Sequence, residues 1–365
     1  MMNDEGKDVI SLAIGSPDMP PSEAAVETLC RVARRSDSHG YQPTRGTREL
    51  REAIARYYER TYGVVLDAET QVLPLIGSKE GILHVTLAFV NPGDTVLVPD
   101  PGYPTYTSLS RLLGARVVAY DLLPDGQPDF EGLEAMDLSS VKLMWTNYPH
   151  MPTGAPALRE TYDRLVSLAR RNGFLIVNDN PYSRILSSRE NPPLSILSSP
   201  GAEDCCLEFN SLSKSHNMPG WRVGMCVGKP EFIDWTLKVK SNIDSGTFRG
   251  LQLAAAKALD DNSEAWHEEY NYNVYVRRRA LAEDIMRAMG CTFHDGQVGM
   301  FLWGRIPDAY EDAEALTERV LHEARVFITP GFIFGKNGRR NVRISLCAKE
   351  EQLKQALERI KEIWN

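Results

Sequence analysis

The residues best suited to chemistry lie in segment 209–224, where Lys214 stands among hydroxyl side chains in the run S-L-S-K-S-H-N-M-P-G-W-R-V-G. Ser211 and Arg222 can bind a phosphate group, because hydroxyls donate hydrogen bonds and a guanidinium donates a charged, forked pair. A partly desolvated lysine beside them has a lowered pKa and becomes a nucleophile toward an aldehyde. For S-x-S-K alone, a surface lysine after a strand is the alternative interpretation. The arginine between two glycines favours the chemical one.

Two more polar groups follow apolar runs directly. Asp179 comes just after the run 174–177, and α/β proteins form their sites at the carboxyl ends of strands. A turn or a helix cap is the alternative role for this aspartate. Ser78 and Lys79 open a predicted helix after the strand 72–76. The free N–H groups and the dipole of a helix start favour phosphate binding there, although most short Gly-Ser loops are only turns.

Other charged residues are interpreted from their surroundings. Arg343 lies inside an apolar strand and needs a partner, because an unpaired buried guanidinium is costly. That partner is either a carboxylate of the chain in a buried salt bridge or a carboxylate of a ligand. His150 is a lone loop histidine, so we expect it at the surface. The run Arg277–Arg279 lies within a helical pattern and predicts a solvated helix face.

The elements that must position these groups alternate between apolar runs and amphipathic stretches, which is typical of an α/β protein. The predicted strands are 72–76, 95–98, 117–120, 141–146, 174–178, 206–209 and 223–227, and the predicted helices between them are 47–62, 79–89, 106–113 and 159–171. Beyond these, one long helix is predicted over 263–289, then strand 300–303, helix 312–324, strands 326–329 and 342–346, and a closing helix 349–364. We expect a large, mostly parallel α/β domain over 20–260. Residues 1–19 and 261–365 would form a smaller α+β domain.

Composition limits the partners and the compartment. The net charge of −8 comes without a basic cluster, which argues against a nucleic-acid partner. No apolar run approaches the roughly 20 residues that span a bilayer, and the polar start does not resemble a signal peptide. The six cysteines have no paired spacing and the seven histidines do not cluster with them, so we expect neither a metal site nor disulfides. A cytoplasmic location follows as an expectation.

The segment around Lys214 resembles the cofactor-lysine signature of the class I/II aminotransferases, the fold type I group of pyridoxal-phosphate enzymes. The amino-acid sequence of this segment is most similar to that of the subgroup of LL-diaminopimelate and aspartate-type aminotransferases. The resemblance covers nearly the whole chain, from I-G-S-P-D at 14–18 to V-R-I-S-L at 342–346. It implies a large mostly parallel domain with a smaller one, and pyridoxal 5′-phosphate held on Lys214 as a Schiff base.

The resemblance also implies roles for other residues around the cofactor. Asp179 would pair with the pyridine nitrogen, and Tyr182 and Asn147 would bind the phenolic oxygen. Tyr103 would stack on the ring. The phosphate contacts would come from Ser78, Lys79, Ser211 and Arg222, together with Tyr41 of a neighbouring subunit. A homodimer is therefore implied, although Tyr41 packed within its own chain is the alternative.

On the substrate side, the resemblance implies that Arg343 binds the α-carboxylate, with Asn147 nearby. Gly15 would belong to the segment that closes over the substrate. Asn242, Ser245 and Arg249 are candidates for the side-chain pocket. Arg249 would bind a second carboxylate, unless it is a plain surface arginine.

Two departures from the family pattern stand out. The family usually has N-x-P-N-N-P-T-G where this chain has N-Y-P-H-M-P-T-G at 147–154, so His150 and Met151 replace two amides. Only a dozen or so residues precede Ile14, where the family usually has a longer arm that helps to hold the dimer. The roles of the two replaced positions and the strength of the dimer are left open.

The expected function is that of an aminotransferase acting on acidic or diamino-dicarboxylic amino acids, with 2-oxoglutarate as acceptor. Lys214, Asp179 and Tyr182 would be its catalytic residues. A β-eliminating lyase of the same fold is the main alternative, because it would use the same lysine. A ring-forming synthase and a cofactor-binding regulator that has lost its chemistry are further alternatives. The regulator is disfavoured because no helix-turn-helix pattern is appended and the catalytic set is intact.

Overall fold

The computed structural model describes residues 6, 8–261 and 263–364, so residues 1–5, 7, 262 and 365 of the predicted small domain lie outside the described residues. The strands are β1 (Ile10–Ser11), β2 (Val72–Leu75), β3 (Thr95–Asp100), β4 (Arg116–Asp121), β5 (Val141–Thr146), β6 (Leu175–Asp179), β7 (Cys206–Ser211), β8 (Gly224–Gly228), β9 (Phe301–Arg305), β10 (Val326–Phe327), β11 (Thr329–Pro330) and β12 (Asn341–Ser345). The helices are α1 (Glu23–Ala33), α2 (Arg48–Tyr62), α3 (Ser78–Phe89), α4 (Pro104–Leu112), α5 (Phe130–Ala135), α6 (Arg159–Asn172), α7 (Ala202–Cys205), α8 (Leu212–Ser215), α9 (Pro230–Lys240), α10 (Arg249–Asp261), α11 (Glu264–His267), α12 (Val274–Ala288), α13 (Ala313–Arg319) and α14 (Glu350–Trp364).

The largest sheet has seven strands in the order β2-β8-β7-β6-β5-β3-β4. Among the described strands of this sheet, only β8 is antiparallel to the others, so the prediction of a mostly parallel α/β sheet is confirmed. The carboxyl ends of the parallel strands meet at one edge, where α/β proteins bind ligands. Because β8 is antiparallel, its amino end lies at that same edge.

Helices cover both faces of this sheet. The core on one face packs α5 and α6 against β5 and β6, and the core on the other face packs α3, α4 and α9. All five residues of β6 are buried, which explains the continuous apolar run that precedes Asp179. Glycines in the left-handed conformation end two of the helices: Gly63 closes α2 and Gly173 closes α6.

The C-terminal part contains the antiparallel sheet β11-β12-β9. Its core includes Ile10 and Leu12 from the start of the chain, together with residues of α12 and α14. Strand β1 pairs with β10 in parallel, which ties the two ends of the chain together. The division into a large domain over 20–260 and a small domain over 1–19 and 261–365 stays a prediction.

Several local predictions were wrong. The stretch 263–289 is interrupted by a π-helical segment, Glu268–Asn273, between α11 and α12. The single strand predicted over 326–329 is two short strands in different sheets, because β10 pairs with β1 and β11 pairs with β12. Helices α1, α5, α7, α8, α9 and α10 were not predicted. Within the described part of the chain, no helix is long and apolar enough to cross a membrane.

The expected solvated face at Arg277–Arg279 was also wrong at its central residue. Arg278 is buried, and its guanidinium donates two hydrogen bonds of 2.8 and 2.9 Å to the carboxylate of Asp18. The pair is possible because the N-terminal segment folds across α12. It fixes the I-G-S-P-D motif against the C-terminal part.

Candidate active site

A cavity of about 360 Å³ opens at the ligand-binding edge of the large sheet. It contains the predicted catalytic, cofactor-binding and α-carboxylate-binding residues except Tyr41, and its lining is Gly15, Ser78, Lys79, Tyr103, Tyr106, Asn147, Met151, Asp179, Pro181, Tyr182, Ser211, Ser213, Lys214, Pro219, Arg222, Phe301 and Arg343. The large sheet therefore brings together residues as far apart in sequence as Ser78 and Arg222, and β12 adds Arg343.

Lys214 lies on the short helix α8, directly after β7. Burial lowers the pKa of its ammonium, and the positive charges of Arg222 and Arg343 lower it further. The Nζ atom donates a hydrogen bond of 2.5 Å to the carbonyl oxygen of Gly15. An amine with a lowered pKa in a cavity is the form of lysine that attacks a carbonyl group.

Asp179 ends β6 and is buried, with its two carboxylate oxygens in different states. Oδ2 accepts a hydrogen bond of 2.9 Å from the hydroxyl of Tyr106, whereas Oδ1 has no partner among the described residues. Burial raises the pKa of Asp179 to about 7. Burial disfavours the charged form of a carboxylate, and a cationic group beside its free oxygen would stabilise that form.

A cradle for an anion lies where α3 begins. Gly77 has a φ of 75°, and a Cβ atom at that position would overlap the guanidinium of Arg222. The first N–H groups of α3 and this guanidinium therefore lie side by side. Ser211 and Ser213 add hydroxyls joined by a hydrogen bond of 2.9 Å. N–H groups at a helix start, hydroxyls and a guanidinium are the donors that bind phosphate.

The polar atoms of the remaining predicted cofactor contacts differ in whether they already form hydrogen bonds within the protein. The hydroxyl of Tyr182 has no hydrogen-bond partner within residues 8–261 and 263–364. Asn147 is already engaged, because its Nδ2 donates to the carbonyl oxygen of Asp179 at 2.6 Å and its Oδ1 accepts from the N–H of Met151 at 2.8 Å. The ring of Tyr103 packs edge-on against Tyr106, 5.5 Å between centroids.

Arg343 lies on β12 and lines the cavity. Its Nη2 donates to the carbonyl oxygen of Ala13 at 2.9 Å, and none of the described carboxylates forms an ion pair with it. Burial lowers the pKa of this guanidinium to about 10. The salt bridge that the sequence offered as one alternative is therefore not observed in the described part of the chain. Gly15 lies close by, and a Cβ atom there would come within 2.5 Å of the ring of Phe301.

The expectation that His150 lies at the surface was wrong. The residue is buried, and its Nδ1 lies 2.8 Å from the hydroxyl of Thr153. Burial lowers the pKa of His150 to about 3, so the ring is neutral. The tight turn of the 147–154 segment turns this side chain inward, which a lone histidine in a loop sequence does not reveal. Its neighbour Met151 lines the cavity.

Four predicted residues lie outside the cavity of their own chain. Tyr41 is 94% exposed, which excludes the alternative that it packs within its own chain. Its contact with a neighbouring subunit stays a prediction. Asn242 binds the carbonyl oxygen of Lys238, and Arg249 approaches Glu49 at 3.9 Å. Neither these two residues nor Ser245 is part of the cavity lining.

One group of possible metal ligands exists among the described residues. Glu80, His84 and Asp244 place ligand atoms within 4.8 Å of one another. The ammonium of Lys240 lies between the two carboxylates, 2.9 Å from Glu80 and 2.5 Å from Asp244. The chain thus supplies its own cation at this cluster. The predicted absence of a metal from the protein stays a prediction.

Sequence reasoning missed several lining residues. Tyr106 follows Tyr103 by three positions at the start of α4, and i, i+3 spacing on a helix was the available signal. Ser213 was within the quoted lysine motif. Phe301 could not be found, because only the pairing of β9 with β12 brings it to the cavity.

Pyridoxal 5′-phosphate offers an aldehyde, a basic ring nitrogen and a phosphate. The cavity holds a suited group for each: a buried lysine amine, the unpartnered Oδ1 of Asp179 and the anion cradle beside Gly77. The residues present therefore fit this cofactor. Together with the mostly parallel sheet, they define a pyridoxal-phosphate enzyme of fold type I.

Comparisons with known proteins narrow the class. The family model described as "Aminotransferase class I and II" matches residues 7–360 of this chain. The LL-diaminopimelate aminotransferase of Oleidesulfovibrio alaskensis is 40% identical over 97% of this chain and 91% of its own length. The substrate-bound structure of BacF from Bacillus subtilis has a TM-score of 0.93 at 33% identity, covering 99% of this chain and 92% of that one.

A second solved structure, a probable N-succinyldiaminopimelate aminotransferase from Thermus thermophilus, has a TM-score of 0.92 at 33% identity and covers 99% of this chain and 96% of that one. The chain belongs to the class I and II aminotransferases. It is accordingly a pyridoxal-phosphate-dependent transaminase, as the resemblance implied.

Proposed function

We propose that this transaminase moves an amino group from an amino acid to a 2-oxo acid such as 2-oxoglutarate in two separate half-reactions, a ping-pong mechanism. Acidic or diamino-dicarboxylic amino acids are the favoured donors. The observation that carries the proposal is that the amine of Lys214 and the unpaired guanidinium of Arg343 line one cavity. The name of the relative from Oleidesulfovibrio alaskensis supports a diamino-dicarboxylic donor.

When bound, the cofactor supplies an aldehyde that holds the substrate nitrogen and a ring that withdraws electrons from the substrate α-carbon. Arg343 binds the substrate α-carboxylate through paired N–H donors and so orients the α-carbon. The Nζ atom of Lys214, which holds the cofactor covalently at rest, takes the α-proton as a general base and returns it as a general acid. Its lowered pKa suits this role, because the unprotonated amine is the form that accepts a proton.

Asp179 would hold the ring nitrogen in its charged form, since its free Oδ1 is a buried carboxylate oxygen without another partner. The hydroxyl of Tyr182 is free to donate a hydrogen bond to the phenolic oxygen. Ser78, Lys79, Ser211 and Arg222 would bind the phosphate, and Tyr103 would stack on the ring. The exposure of Tyr41 supports a homodimer in which this tyrosine reaches the partner's phosphate site. The cytoplasmic location stays a prediction.

The near-visible absorption of the reconstituted enzyme tests this function. Adding LL-diaminopimelate, glutamate, aspartate or alanine singly should bleach the lysine-bound cofactor only for true donors, and 2-oxoglutarate should restore the absorption. Product analysis should then find the matching 2-oxo acid and glutamate. A β-eliminating lyase would instead release ammonia without any 2-oxo acid acceptor, and that result would contradict the proposal.

A further inference from the structure

The guanidinium of Arg343 is enclosed by rings and is short of strong acceptors. Its central carbon lies 3.9 Å from the ring centroid of Phe301 and 4.6 Å from that of Phe334. The Nε atom has no partner among the described residues. One Nη atom binds the carbonyl oxygen of Ala13, and the other, Nη1, meets only the sulfur of Met151 at 3.4 Å. The edge of the guanidinium that includes Nη1 therefore contacts only a weak acceptor.

Met151 is held in place by its main chain. Its N–H donates to Oδ1 of Asn147, and the same amide donates to the carbonyl oxygen of Asp179. On the other side of the turn, the N–H of His150 donates to the carbonyl oxygen of Ala155 at 2.8 Å. Both polar atoms of the Asn147 side chain are thus hydrogen-bonded to main-chain groups. The side chain of this turn that contacts Arg343 is the thioether of Met151.

A thioether and an amide differ in the hydrogen bonds that they can form with a bound carboxylate. Methionine sulfur accepts hydrogen bonds weakly and donates none, whereas an amide nitrogen donates two. Methionine is also flexible and adapts to different neighbours. The class I/II pattern N-x-P-N-N-P-T-G has an amide at the position of Met151. This chain therefore lacks that amide donor at position 151, beside its carboxylate-binding arginine.

We propose that Met151 determines how tightly the enzyme binds substrate carboxylates. It covers Nη1 of Arg343 with a weak acceptor and leaves the α-carboxylate to Arg343, without a second side-chain donor from this turn. The inference rests on the proposed function, in which Arg343 is the α-carboxylate site. Its consequence is weaker carboxylate binding than an amide at 151 would give, with an apolar wall beside Phe301.

The test uses the cofactor-loaded enzyme and propanoate, a carboxylate that has no amino or oxo group and so undergoes no exchange. Isothermal titration calorimetry gives its dissociation constant for the wild type, Met151→Asn and Met151→Leu. We expect the asparagine variant to bind propanoate about tenfold more tightly, because a hydrogen bond to a charged group is added. The leucine variant, an apolar control of similar volume, should stay within about twofold of the wild type.

A second amide variant, Met151→Gln, matches the chain length of methionine and carries the same test if asparagine disturbs the turn. The inference is overturned if neither amide variant binds propanoate more tightly than Met151→Leu. Arg343→Gln separates this failure from that of the proposed function. If Arg343→Gln binds propanoate as tightly as the wild type, the assignment of Arg343 fails. If it loses binding while the amide variants gain nothing, the role of Met151 alone is wrong.

Discussion

The hydroxyl of Tyr106 donates a hydrogen bond of 2.9 Å to Oδ2 of Asp179 and leaves Oδ1 free. The ring of Tyr106 lies parallel to that of Trp145, with 4.9 Å between their centroids and 3° between their planes. This stacking fixes the hydroxyl, and the hydroxyl in turn fixes the carboxylate. One oxygen of Asp179 is therefore committed to the protein and the other is available to the cofactor.

Replacing Tyr106 with phenylalanine should move the pH range of cofactor binding. The Tyr106 hydrogen bond lowers the pKa of Asp179, so its loss raises that pKa and delays ionisation. We expect the dissociation constant for pyridoxal 5′-phosphate to reach its low plateau at higher pH in Tyr106→Phe. The free energy of unfolding should also fall by about 1 kcal/mol. Equilibrium binding between pH 6 and pH 9, a range set about the pKa of Asp179, measures the shift.

Tyr120→Phe is the matched control for this variant. The hydroxyl of Tyr120 is also buried and donates a hydrogen bond of 2.9 Å, but to the carbonyl oxygen of Trp145. It should lose similar stability without moving the pH range of cofactor binding. Equal shifts in both variants would show that Tyr106 does not act through Asp179.

The charge of Asp179 should destabilise the cofactor-free fold at alkaline pH. Burial raises its folded-state pKa to about 7 from 3.8, so the unfolded chain ionises first as pH rises. Stability is therefore lost between these two pH values, on the order of 4 kcal/mol in all. Asp179→Asn should remove this loss, and the variant should gain on the wild type from pH 5 to pH 8 in urea unfolding. Its cofactor affinity should fall roughly tenfold or more. If the two proteins differ in free energy of unfolding by the same amount at pH 5 and at pH 8, the charge of Asp179 is not the cause of the loss.

His150 should contribute the opposite dependence on pH. Its folded-state pKa is about 3, below the 6.5 of an ordinary histidine, so the unfolded chain takes up the proton first as pH falls. Its contribution is fully present above about pH 6.5 and is lost as the pH falls toward 3. The loss is about 1.4 kcal/mol at pH 5.5. His150→Asn should lose correspondingly less stability between pH 7.5 and 5.5, whereas the exposed control His294→Asn should behave as the wild type does.

The neighbouring arginines Arg278 and Arg277 should differ sharply in their effect on stability. Arg278→Ala removes a buried guanidinium that binds Asp18 through two hydrogen bonds and should cost about 3 kcal/mol. Arg277 forms an exposed pair with Glu350 at 2.9 Å, so Arg277→Ala should cost below about 1 kcal/mol. Urea unfolding of both cofactor-loaded variants measures the difference. Similar losses would mean that the Asp18 pair does not hold the N-terminal segment.

The sequence predicted best those elements whose surroundings are uniform. The run 174–177 is apolar because β6 is covered on both faces, and its position was therefore predicted to within a residue. Helix α10 was missed because its buried face consists largely of alanines and includes Gln252, which leaves little apolar contrast. Helix α9 was missed for a related reason, since its buried Lys240 belongs to an ion-pair cluster.

The same distinction applies to the site. Lys214 and Arg222 lie in one short motif, and their proximity could be predicted from local spacing. His150 and Arg278 were predicted to be exposed because their local sequence resembles a surface. The burial of Arg278 depends on Asp18, which is distant in sequence, whereas the turn of the 147–154 segment brings His150 inward beside Thr153. The occupied amide of Asn147 likewise depends on the meeting of β5 and β6.

The most direct test of the central claim is chemical fixation of the cofactor. Borohydride reduction of the reconstituted protein, followed by proteolysis and mass spectrometry, identifies the lysine that holds pyridoxal 5′-phosphate. We predict one modified peptide that contains Lys214, and none in Lys214→Ala. Modification at another lysine such as Lys79, or no modification of a correctly folded protein, would contradict the account.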